Sequence, residues 1–87
     1  MSAPKESLNI SPFARLNVRV RSIMAFVAEH TGKQVEIMTV NSLTYRGKLI
    51  TFADSLGTDG LTLIEEEDGR ALAIFSSDVR KMEVVES

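Results

Sequence analysis

Leu43-Thr44-Tyr45-Arg46-Gly47-Lys48-Leu49-Ile50-Thr51-Phe52 decides how this chain folds. β-Branched and aromatic side chains suit a strand, and the run exceeds the usual length of about 5–6 residues. A glycine in mid-strand weakens pairing unless a side chain there would obstruct a bend or a neighbouring backbone. Gly47 therefore predicts a long, strongly curved strand of the kind that shapes small barrels.

Toward the C-terminus, Asp54-Ser55-Leu56-Gly57-Thr58-Asp59-Gly60 is dense in turn residues and reads as a loop. A strand follows from Leu61 to Glu66, and Asp68-Gly69 is a hairpin signal before Ala71-Leu72-Ala73-Ile74-Phe75. Ser76-Ser77-Asp78 makes a short corner. The last strand runs from Val79 to Val85, with Val79, Met82 and Val84 as its apolar positions. Toward the N-terminus, Asn41-Ser42 is a tight reversal, preceded by Val35, Ile37 and Thr39 alternating with Glu36 and Met38.

Before Gly32 the period changes. Phe13, Leu16, Val20, Ile23, Met24 and Val27 follow at helical spacing, with Ser11-Pro12 as a start signal and Thr31-Gly32 as a stop. These predict an amphipathic helix over part or all of residues 12–31. Leu16, Val18 and Val20 also alternate with polar residues, so an extended conformation over residues 14–20 is the alternative. Residues 1–10 read as a flexible arm and residues 11–87 as one domain. The expected fold class is mainly β, a helix followed by a small, strongly bent five-stranded antiparallel barrel, whose closure removes exposed edges.

The chain has 87 residues, no cysteine and a formal charge of −2. One core is all this length supports. Disulfides and thiolate metal sites are excluded, and the charge has the wrong sign for a broad phosphate footprint. The charges are also unevenly spread: Arg15, Arg19, Arg21, Lys33, Arg46 and Lys48 crowd the first half, whereas Glu65-Glu66-Glu67-Asp68 forms an acidic hairpin tip. Neither a signal peptide nor an apolar run of the ~20 residues needed to span a bilayer is present, so a cytoplasmic chain without a membrane partner is expected. His30 stands near the helix C-terminus, where a positive charge is favourable and either capping or solvation accounts for it. Ser76 and Ser77 lack a nucleophile-elbow context, and the glycines do not form a phosphate-binding spacing. The reading is therefore non-enzymatic, with no metal and no cofactor.

The sequence from Gly32-Lys33-Gln34-Val35-Glu36-Ile37 through the Asn41-Ser42 turn to Tyr45-Arg46-Gly47-Lys48-Leu49 and Phe52 resembles the first motif of the Sm-like family. The spacing of Gly47, Leu49 and Phe52 carries the resemblance. Ile74-Phe75-Ser76-Ser77-Asp78-Val79 is similar to the second motif, with Ser76-Ser77 standing where the family has Arg-Gly. The resemblance implies subunits pairing edge to edge through Ala71, Leu72, Ala73, Ile74 and Phe75 of one copy and Val79, Met82 and Val84 of the next. Such heterologous contacts close rings, here of about five to seven copies.

The resemblance also implies single-stranded RNA as a further partner, held at Asp54, Asp59, Ser76, Ser77 and Asp78; separately, the basic helix residues Arg15, Arg19 and Arg21 either meet phosphates on one face of a ring or are solvated charges. The chain departs from the family pattern at its stacking arginine, which is absent, and at its loop asparagine, which Asp59 replaces. Nor does it carry the Lys-His pair of bacterial Hfq. The alternative function is a protein-only assembly or adaptor barrel resembling the C-terminal domain of RimP.

Overall fold

The structure is a computed structural model and describes residues 6–54 and 60–85. Among them, in chain order, are β1 (Ser7–Asn9), α1 (Leu16–His30), β2 (Gln34–Thr39), β3 (Thr44–Ala53), β4 (Leu61–Glu65), β5 (Ala71–Phe75), a 3₁₀ turn (Ser76–Asp78) and β6 (Val79–Val84). The strands form one antiparallel sheet in the order β1-β6-β2-β3-β4-β5.

The long strand bends where Gly47 predicts. Its first half pairs with β2, Val35 lying opposite Gly47, and from Lys48 onward it pairs with β4. A Cβ on Gly47 would lie 2.6 Å from the Glu65 carbonyl oxygen, closer than two such atoms approach. The register also shifts between Leu49 and Thr51, and an irregularity of this kind bends a strand further. One strand thus serves two partners in different directions.

The five-stranded barrel expected from the sequence is instead an open six-stranded sheet, because β5 and β1 end it without pairing to each other. Extended backbone at Phe75 and Val79 flanks the 3₁₀ turn, which carries the chain across to β2 instead of reversing it onto β5. The outer side of β6 is taken by β1, with Ser7, Leu8 and Asn9 opposite Glu83, Met82 and Lys81. The arm expected over residues 1–10 is therefore ordered strand from Ser7, and Ile10 is buried in the core; residues 1–5 lie outside the described residues.

The helix begins later than Ser11-Pro12 suggests. Ser11 instead closes a turn, its carbonyl accepting from Ala14 N–H and its Oγ from Phe13 N–H, while Arg15 stays extended before α1. The end is as expected: Thr31 Oγ1 donates to Val27 O at 2.6 Å, and Gly32, at φ +90°, donates its N–H to Leu49 O. The helix face also differs. Arg19, Ile23, Phe26, Val27 and His30 are buried, whereas Phe13, Leu16 and Met24 are exposed. The core joins that face to Val35, Ile37, Leu49, Ile64, Ile74, Val79 and Met82.

Adding one methyl group where β3 and β4 meet forces a backbone shift in a packed sheet. Gly47→Ala is expected to lower stability by roughly 1–3 kcal/mol, seen as an earlier urea midpoint with unchanged slope. An unaltered midpoint would show that the two strands can separate there at no cost.

Candidate functional site

The residues singled out for RNA converge in part on one corner, where the 3₁₀ turn meets the start of β4 and the N-terminal end of α1. Gly60, at φ +80°, lies against Phe52, and a Cβ on it would fall 2.4 Å from the ring. Its carbonyl accepts from both Ser76 N–H at 3.1 Å and Ser76 Oγ at 3.3 Å. Ser76 is fully buried and so holds the corner closed.

Arg19 locks the same corner from the helix side. Its Nη1 donates to Val79 O at 2.7 Å and reaches Ser76 O at 3.5 Å, its Nη2 donates to Ser11 O at 3.2 Å, and its Nε reaches Ala14 O at 3.4 Å. A carbonyl oxygen can accept two bonds, as Ser11 O does from Ala14 N–H and Ser76 O from Val79 N–H besides Arg19, and the forked guanidinium serves several such oxygens at once. Arg19 is only 7% exposed. Its assignment to a phosphate-facing helix surface is therefore corrected: the guanidinium faces inward and is occupied by main-chain oxygens. Ser76 is corrected for the same reason.

Asp54, Ser77, Asp78 and Arg21 are exposed, and Asp59 lies outside the described residues. Arg15 and Arg21 are exposed at and near the start of α1, and the groups exposed at the 3₁₀ turn and the end of β3 are carboxylate and hydroxyl. Such groups accept hydrogen bonds from base N–H groups but repel phosphate. Beside it, Leu43, Tyr45, Leu72, Phe75 and Asp78 help line a hollow of about 130 Å³ between β5 and the β2–β3 turn.

The expected interface residues separate in the same way. Ala71, Ala73 and Phe75 are exposed along β5, Leu72 is half-buried and Ile74 is buried. In β6, Val79 and Met82 are core residues with no exposed surface, and Val84 is half-buried opposite Val35. None of these three residues has an exposed side chain, and the backbone edge of β6 carries β1.

Sequence reasoning missed the anchor of that strand. Glu6 Oε2 is 2.9 Å from His30 Nδ1 and 3.9 Å from Lys33 Nζ, and His30 is 3% exposed with its ring 4.4 Å from that of Phe26. His30 is thus packed under the N-terminal segment and not solvated. The signal was present in Ser7-Leu8-Asn9-Ile10, which alternates polar and apolar as a half-buried strand does. The acidic run is the hairpin tip expected of it, turning through Gly69 with Arg70 N–H bonded to Asp68.

Among the described residues no helix is long and apolar enough to cross a membrane. No family model, curated protein or solved structure matches the chain.

Losing Arg19 removes the guanidinium bonds to four main-chain oxygens, those to Val79 and Ser76 being buried, whereas losing Arg21 removes an exposed charge. Arg19→Ala is expected to cost about 2–4 kcal/mol in urea unfolding, and Arg21→Ala to stay within about 0.5 kcal/mol. Equal effects of the two substitutions would contradict the structural role of Arg19.

Proposed function

We propose that this chain is a cytoplasmic Sm-like protein that assembles with copies of itself into a closed ring and holds single-stranded RNA weakly at an acceptor-lined corner. The carrying observation is the unpaired outer edge of β5, with Ala71, Ala73 and Phe75 exposed beside it. An edge of five residues with apolar side chains is a template for strand addition, and proteins that do not use such an edge usually cover or charge it. The helix and the strand bent at Gly47 stand in the order that the resemblance implies, which supports the same reading.

RNA contact is narrower than the family pattern implies. With Arg19 buried, Asp54, Ser77 and Asp78 are the exposed candidates at the corner, and they suit base edges better than phosphates. Repetition around a ring would multiply a weak contact, since each further site binds at high local concentration. A protein-only adaptor barrel is the second reading. It is favoured by the acidic character of the groups exposed at the 3₁₀ turn and the end of β3, Asp54 and Asp78.

Light-scattering chromatography at micromolar concentration is expected to give a multimer of about five to seven chains for the unmodified protein. The double substitution Ala71→Lys with Ala73→Lys is expected to shift it toward the monomer, because charges on an edge oppose pairing. An unchanged mass would remove β5 from the interface. For RNA, Asp54→Ala and Asp78→Ala are each expected to weaken oligouridine binding by about 1–3 kcal/mol, the worth of a hydrogen bond to a charged group. Unchanged affinity in both, or no binding by the unmodified ring, would favour the adaptor reading.

A further inference from the structure

The outer edge of β6 already holds a strand, and that strand resembles β5. Ser7-Leu8-Asn9-Ile10 and Ala71-Leu72-Ala73-Ile74 share leucine and isoleucine at the same spacing, with small or polar residues between them. Their burial agrees residue for residue: exposed, half-buried, exposed, buried. In both segments the leucine and isoleucine face inward while the alternate residues face solvent.

We infer that residues 6–10 are an internal stand-in for β5 of a second copy, filling the β6 edge in the monomer and leaving it when that second copy docks. This rests on the assembly reading above and adds to it the identity of the competitor. The edge demonstrably accepts a strand: Ile10 N–H donates to Arg80 O and Val84 N–H donates to Glu6 O, both at 2.9 Å. An incoming Ala71–Phe75 strand would meet the same carbonyl and amide groups, its Leu72 and Ile74 repeating the spacing of Leu8 and Ile10 while remaining packed in the core of their own copy. β1 is only three residues long, whereas β5 has five. The longer strand gains more ladder bonds, and the shorter one gains from being tethered. Glu6 adds to the tether through His30 and Lys33. Both strands cannot occupy one edge, so assembly and docking of residues 6–10 exclude each other.

The register provides the test. Bonding at Ile10–Arg80 and at Glu6–Val84 makes Asn9–Lys81 and Ser7–Glu83 non-hydrogen-bonded pairs, whose Cα atoms are about 4.5 Å apart and within disulfide reach. The chain has no cysteine to interfere. Asn9→Cys with Lys81→Cys, and separately Ser7→Cys with Glu83→Cys, would be compared by light scattering over a concentration series, oxidised and reduced. A raised unfolding temperature on oxidation would confirm that the native register was captured. Oxidation is expected to raise the concentration at half-assembly about tenfold or more, with the reduced forms behaving as the unmodified chain does. Glu6→Gln, which weakens the tether, is expected to lower it roughly threefold. If both locked forms assemble at the same concentration as their reduced forms, the stand-in role is overturned while the ring survives. If neither the unmodified chain, the reduced forms nor Glu6→Gln assembles, ring and stand-in both fall.

Discussion

The close approach of β4 to β3 at Gly47 is the constraint on which the rest of this structure depends. Because the Glu65 carbonyl occupies the space a side chain would need, β3 can turn from β2 to β4 within its own length. That turn sets two halves of one sheet around a shared core, with Leu49 and Ile64 fully buried just beyond the bend. It also positions the helix, since Gly32 N–H bonds to Leu49 O and Leu49 N–H bonds to Lys33 O. A flat strand would lose both the enclosure and the helix anchorage.

Arg19 carries out a comparable task with charge. A guanidinium removed from water is costly unless its donors are used, and here main-chain oxygens from three separate segments receive them. The effect is to fix the 3₁₀ turn against both the helix and the preceding turn. The corner keeps its shape through a cation withdrawn from solvent, with Asp54, Ser77 and Asp78 exposed around it.

An open sheet has two outer edges, and this chain treats them differently. One is closed by a short strand from its own N-terminus, held by the burial of Ile10 and by the contact of Glu6 with His30. The other, β5, is left open with a phenylalanine exposed at its end. Short edge strands are a common protection against unwanted pairing. Covering one edge while leaving the other open makes the two ends of the sheet unlike.

Local chemistry is what the sequence by itself determined. The alternation of β2, the length and central glycine of β3, the Asp68-Gly69 turn and the limits of β5 all follow from interactions between near neighbours in the chain, and each element stands where its residues indicate. Tertiary structure decided the rest. Ser11-Pro12 has the chemistry of a helix start and serves a turn, because the carbonyls of Ser11 and Ala14 are needed by Arg19. The helix turns Arg19 and His30 inward and Leu16 and Met24 outward because their partners, Val79 and Glu6, come from distant parts of the chain. Whether the sheet closes was likewise beyond local reading. Strand periodicity specifies which side chains face inward but not which backbone edge receives a neighbour, and β1 claims the edge of β6 only once residues more than seventy positions apart are brought together.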